Sequence, residues 1–175
     1  MVKVRFYDQA EDQKLRFAVI ITKADGRWVF CKHKQRDTLE IPGGHREPGE
    51  DILTTAKREL YEETGAVDFS IRPVCVYSVT APRNFGGQET FGMLFCADVK
   101  TFENELHSEI ERIDIQDELP TAWTYPEIQP YLLQEVCKRI TDNRYSRMWL
   151  CLICKCDRDE DCDEVNHESC KHRHQ

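Results

Sequence analysis

The stretch from Gly43 to Val67, GGHREPGEDILTTAKRELYEETGAV, constrains this chain more than any other. Glu50 to Glu63 holds no Gly or Pro and is rich in Leu, Ala, Lys, Arg and Glu. That predicts a helix, with Gly65 placed to cap its C-terminus. Arg58, Glu59, Glu62 and Glu63 crowd its last turns. With Glu59 at zero and ~100° per residue, Glu63 falls near ~40° and Glu62 near ~300°, so the three carboxylates share an arc of about 100°. Leu60, Ala56 and Leu53, at about 60–120°, are expected to pack on a sheet, and Ile52 fits neither side. Like charges three or four residues apart repel by a few tenths of a kcal/mol. Anions at a helix C-terminus also oppose its dipole. A divalent cation among them removes both penalties, and carboxylate oxygens are the hard ligands that Mg²⁺ and Mn²⁺ prefer. The plain alternative is a solvated Glu-rich face. The Gly43-Gly44 turn ahead of the helix favours a site, because Gly lets backbone approach a ligand closely.

The rest of the chain supplies a layered domain around this segment. At 175 residues it is long enough for one domain with a buried core, with room for an appendage. Val2, Val4 and Phe6 share one face of a short strand. Phe17 to Thr22 and Trp28 to Cys31 read as a hairpin around Ala24-Asp25-Gly26. Leu39-Glu40-Ile41 is a short extended piece ending in Pro42-Gly43-Gly44. After the helix, Phe69 to Thr80, Thr90 to Val99 and Ile110 to Ile115 read as strands, with Pro82 to Gly87 as a loop. A last helix is expected from Pro126 to Ile140, with Ile128, Leu132, Leu133 and Val136 at helical spacing. Mixed strands with two helices imply an α/β or α+β layered domain through Leu150.

Charge and cysteine content narrow the function classes. The 24 Lys+Arg against 32 Asp+Glu give −8 at pH 7. A duplex-coating protein needs a basic face, so no duplex nucleic acid partner is expected. No apolar run approaches the ~20 residues that span a bilayer, and the start lacks a signal-peptide core. A cytoplasmic location with reduced thiols follows as an expectation. Four of the 9 Cys are scattered, and five lie between Cys151 and Cys170. Cys151, Cys154, Cys156, Cys162, His167, Cys170, His172 and His174 are soft metal-ligand types. Residues 151–175 read first as a disordered acidic tail, with a small Zn²⁺ knot as the functional alternative.

The Gly43–Val67 segment resembles the Nudix box of the Nudix (MutT-like) hydrolases. The pattern is met by Gly44, Glu50, Arg58, Glu59, Leu60, Glu62, Glu63 and Gly65, with Ala66 a small residue at the last aliphatic position. Leu39 to Gly44 also resembles the family's entry strand. The resemblance implies the Nudix fold, an α/β/α arrangement with a mixed sheet between helices. It implies cleavage of a diphosphate linked to a group X, usually a nucleoside, with Mg²⁺ or Mn²⁺. Glu59, Glu62 and Glu63 are then the metal ligands, with Glu59 also near the attacking water. Arg58 holds the carboxylates in place, Gly43 or Gly44 lends a carbonyl to the metal, and Glu50 supports the loop. A further carboxylate is expected from a later loop, with Glu109 preferred over Glu111, and Glu89 and Glu118 weaker choices.

Group X is not written in the box. Phe85, Tyr77 and Trp123 are the candidates to stack on a base, with Phe91 a further option. The compact size and short lead-in most resemble MutT-type nucleoside triphosphate pyrophosphatases, such as 8-oxo-dGTP diphosphatases. Pyrophosphate removal from RNA 5′ ends is a neighbouring activity. An ADP-ribose or sugar-nucleotide pyrophosphatase is the second enzyme reading, for which Pro82 stands near a marker position. A non-catalytic nucleotide-sensing Nudix domain is the reading from another class, and it predicts a damaged box. Either a monomer or a homodimer is compatible with the sequence.

Overall fold

A computed structural model describes residues 1–81, 87–106 and 108–141. Its elements are β1 (Lys3–Tyr7), β2 (Leu15–Ala24), β3 (Arg27–His33), β4 (Leu39–Glu40), β5 (Gly43–His45), α1 (Ile52–Thr64), β6 (Ala66–Thr80), β7 (Glu89–Phe102), β8 (Ile110–Gln116) and α2 (Gln129–Thr141). Residues Met1–Lys138 form one unit, and Arg139–Gln175 a second, of which only residues 139–141 are described. Phe85 and Pro82 lie outside the described residues, as does the Cys/His-rich tail.

One mixed sheet runs β1-β6-β7-β2-β3-β4, with β5 added to β2 and β8 to β3. β2 and β7 pair in parallel, whereas the other ladders are antiparallel. The β2–β3 hairpin turns through Asp25 and Gly26, with φ of 49° and 77°. Positive φ at both central residues matches the twist of the flanking strands, as an Asp-Gly turn predicts.

Strand alternation sorts the sheet into two faces. Ala18, Ile20, Val76, Phe95 and Ala97 form one apolar cluster with Ile52, Ala56 and Leu60 of α1. Phe17, Val19 and Tyr77 point the other way, where they share a cavity with Leu132 of α2. This is the expected α/β/α layering.

Four local expectations are corrected. The helix starts at Ile52, because the Asp51 side chain accepts from Thr54 N at 2.8 Å and caps it. Leu53, expected to pack on the sheet, is 38% exposed, and Ile52, which fitted neither side, is buried. The buried arc of α1 includes Glu59 and Glu63, so it is centred nearer Ile52 than the apolar residues alone suggest. Gly43 and Gly44 belong to a strand paired with β2, not to a turn. An added Cβ at Gly43 would overlap Ala18 O, so this close strand approach requires Gly. Finally, α2 starts at Gln129, and Pro126 stands ahead of it.

Candidate active site

The end of α1, β5, the β3–β4 turn and the start of α2 enclose a cavity of about 550 Å³. That volume lies in the range of small-molecule sites. Glu59, Glu63, Glu109 and Arg58 line it, together with Gly43 and Gly44. With Tyr77, the fold brings seven candidate site residues named from the sequence to one cavity, and Glu62 is not among its lining.

Arg58 organises the carboxylates. Its Nε donates to Glu50 Oε1 at 2.7 Å, and Nη2 donates to Glu50 Oε2 at 3.1 Å and His45 O at 2.9 Å. Its Nη1 donates to Glu59 Oε1 at 2.9 Å and Glu62 Oε2 at 3.0 Å. All the N–H groups of the guanidinium fork are thereby engaged. Glu50 also accepts from Thr55 Oγ1 at 2.8 Å and from its own loop at Glu47 N, 3.1 Å. The hydrogen bonds from Arg58 pull the Glu50 carboxyl down to about 2. Glu50 thus braces the loop and the arginine and does not line the cavity.

Glu59 and Glu63 are buried on α1. Glu63 Oε2 accepts from Gly43 N at 2.8 Å, which ties the helix end to β5. Burial pushes the Glu63 carboxyl up to about 8, with nearby Glu59, Glu40 and Glu109 adding to the rise. Burial also raises Glu59, to which Glu62 and Glu109 contribute. Gly44 is a cradle for Glu59: any Cβ there would fall on its carboxylate. Glu62 is more open, its side chain 46% exposed.

Among the described residues no three His, Cys, Asp or Glu side chains converge into a metal-holding cluster. Arg58 instead pairs with Glu50, Glu59 and Glu62, and Gly43 N–H donates to Glu63. The chemistry of these carboxylates nevertheless fits a hard divalent cation. Buried oxygens whose negative charge is disfavoured by desolvation and by each other gain most from one.

The later-loop carboxylates separate clearly. Glu109 lines the cavity, whereas Glu111 is held by Lys32 Nζ at 2.6 Å. Glu89 sits with Ser78 Oγ at 2.6 Å and Tyr7 Oη at 2.9 Å. Glu118 is exposed and does not line the cavity. The aromatic candidates also separate. Tyr77 lines the cavity but is only 5% exposed, its ring against Gly92, where a Cβ would come within 2.6 Å. It is therefore a wall rather than a free stacking plate. Trp123 packs edge-on against Phe30, centroids 5.3 Å apart, and is not part of the lining. Phe91 packs with Tyr7 at 5.7 Å.

The sequence reading missed His33, Arg36, Glu40, Tyr125 and Gln129, all of which line the cavity. Their only local signal is Glu40, one residue before the Ile41-Pro42-Gly43 run.

A carboxylate-bearing helix, an arginine that spans it and a strand-borne Gly pair thus stand beside a cavity of small-molecule size. The chain belongs to the NUDIX domain family, whose model matches residues 12–132. It is 35% identical over 78 residues to the Bacillus subtilis (strain 168) protein named "Putative 8-oxo-dGTP diphosphatase YtkD", covering 45% of this chain and 49% of that one. It is 51% identical over 37 residues to the Mus musculus protein "Nucleoside diphosphate-linked moiety X motif 6", covering 21% of this chain and 12% of that one. These matches span about half the length of the first relative and about an eighth of the second. Among solved structures, a mutant Bacillus subtilis pyrophosphohydrolase, BsRppH, superposes with a TM-score of 0.66 at 23% identity, covering 81% of this chain and 90% of that one. No helix among the described residues is long and apolar enough to cross a membrane.

Proposed function

We propose that this chain hydrolyses a nucleoside triphosphate to a monophosphate and pyrophosphate, as a MutT-type enzyme, with an oxidised purine nucleotide such as 8-oxo-dGTP as the first candidate. The carrying observation is that Glu59, Glu63 and Glu109 line one cavity beside a fully engaged Arg58. The name given to YtkD supports the choice of nucleotide. An ADP-ribose or sugar-nucleotide substrate is the competing choice within the same chemistry.

Bound by Glu59, Glu62 and Glu63, with Glu109 and a Gly43 or Gly44 carbonyl completing the set, Mg²⁺ or Mn²⁺ would neutralise phosphate charge and acidify water. Arg58 fixes the positions of the Glu59 and Glu62 carboxylates. Glu59, buried and disposed to hold a proton, is suited to orient the attacking water and take its proton. The water oxygen adds to phosphorus, and the anhydride P–O bond on the leaving side breaks. The same proposal assigns catalysis to residues 1–150, in a cytoplasmic setting, and gives the 151–175 tail no part in it.

Product analysis by anion-exchange chromatography of a panel of nucleoside triphosphates, 8-oxo-dGTP, ADP-ribose and triphosphorylated RNA, reading monophosphate and pyrophosphate with Mg²⁺ and with chelator, tests the reading. Wild type should turn over the triphosphates fastest, and Glu62→Gln should be strongly impaired. A wild type inert on every diphosphate compound would favour the nucleotide-sensing reading. Faster cleavage of ADP-ribose would replace the substrate class and keep the chemistry.

A further inference from the structure

The cavity sets four carboxyl groups against two arginines. Glu40, Glu59, Glu63 and Glu109 line it, and the arginines in the lining are Arg36 and Arg58. Arg58 has spent every N–H on Glu50, Glu59, Glu62 and the His45 carbonyl. It has nothing left to offer a ligand. Arg36 is built differently. Its Nη1 donates to Glu40 Oε2 at 2.8 Å, and Tyr125 is a second side-chain hydrogen-bond partner. Its guanidinium carbon lies 5.8 Å from the centre of the Tyr125 ring. The ring and the carboxylate hold the fork in one orientation, while the remaining N–H groups stay available.

The turn that carries Arg36 is itself fixed. Arg36 N donates to His33 O at 3.1 Å, and Gln35 N donates to His33 Nδ1 at 3.0 Å. The bond from Gln35 N holds the His33 ring within the turn at the cavity wall. Lys34 N donates to Glu109 O at 2.9 Å, and Lys34 Nζ to Ser108 O at 2.7 Å. The turn is thus stitched to the segment that supplies the fourth carboxylate. Glu40 is buried, its side chain 9% exposed, so the ion pair with Arg36 is anchored from the protein side.

We propose that Arg36, carried on the β3–β4 turn and oriented by Glu40 and Tyr125, binds the phosphate chain of the substrate in this cavity. The inference rests on the phosphoanhydride-hydrolase reading above and adds a specificity element. A chain with more charged phosphate oxygens gains more from a planar multi-donor fork than a shorter one does.

The test compares Arg36→Gln and Arg36→Lys with wild type, and with Lys57→Gln, which removes the same charge from the exposed side of α1. Binding of inorganic tripolyphosphate is measured by calorimetry, and KM and kcat are measured for nucleoside triphosphates and diphosphates. Arg36→Gln should weaken tripolyphosphate binding and raise the triphosphate KM by about tenfold or more, the loss expected for a charge-assisted contact. The diphosphate KM should move less, and kcat should stay within about threefold of wild type if uniform binding is what was lost. Arg36→Lys should recover part of the loss, and Lys57→Gln should show none. Unchanged tripolyphosphate binding and KM in a folded Arg36→Gln overturn the proposal, leaving Arg36 a surface partner of Glu40. A wild type inert on nucleotides, whose tripolyphosphate binding still depends on Arg36, overturns the hydrolase reading and keeps the anion site. A wild type that fails to bind tripolyphosphate overturns the site.

Discussion

Two walls of one cavity are built on opposite principles. On the α1 side, polar groups are paired inward: Arg58 spans Glu50, Glu59 and Glu62, and Glu63 is tied to Gly43 N. On the side of the β3–β4 turn, Arg36 meets one carboxylate and lies over an exposed aromatic ring. The first wall is preorganised to keep like charges together at fixed positions, which catalysis needs. The second keeps donors in reserve, which recognition needs. A substitution on the first wall should therefore cost turnover, and one on the second should cost affinity.

The largest effect is expected for Glu59→Gln. On the function proposed above, Glu59 is an anionic metal ligand, and its loss should lower kcat by about a hundredfold or more. Steady-state kinetics with circular dichroism checks this, and near-normal kcat would move the catalytic centre elsewhere. Gly44→Ala comes next. Its Cβ would occupy the space of the Glu59 carboxylate, so Glu59 must swing aside. A loss of about tenfold or more in kcat is expected from that misplacement, with the melting temperature changed far less than activity.

A smaller effect concerns acid stability. Glu50 has a folded-state pKa of about 2 against an ordinary value of 4.5, because Arg58 favours its charged form. Its contribution to stability is present above pH 4.5 and is lost as pH falls toward 2. In Arg58→Gln that contribution disappears, so the acid limb of a melting-temperature profile should flatten over this window. An unaltered limb would place the acid-sensitive interaction in another pair.

These contrasts also explain what could be read from the chain directly. The α1 wall was readable because its contacts are local. Arg58 reaches Glu62 one turn on, and Glu50 lies eight residues before Arg58. Even so, Leu53 turns outward and Ile52 inward, since the buried arc follows the carboxylates as well as the apolar residues. The second wall was opaque for the opposite reason. Arg36 reaches the cavity only because β3 pairs with both β4 and β8, and Lys34 meets Glu109 far along the chain. Nothing in Lys34-Gln35-Arg36-Asp37 announces that pairing. The parallel β2–β7 ladder, which sets the two faces of the sheet, is likewise invisible to period-two patterning.

Trp123 gives the smallest expected effect and separates the walls most finely. An aromatic residue late in the chain was a candidate to stack on a base. The fold spends it otherwise: Leu39 N donates to Ala122 O at 3.0 Å, Thr124 N to Leu39 O at 2.9 Å, and the Thr38 and Thr124 hydroxyls meet at 2.7 Å. Those bonds lay residues 122–124 along β4 and turn the Trp123 ring edge-on to buried Phe30. Trp123→Leu should therefore cost about 1–2 kcal/mol of stability through lost packing and the lost ring pair. KM for nucleotides should stay within about twofold, because no cavity contact is removed. Denaturant unfolding beside a KM series checks both. A raised KM with unchanged stability would return Trp123 to the role of base-stacking residue and extend the recognition wall beyond Arg36 and Tyr125.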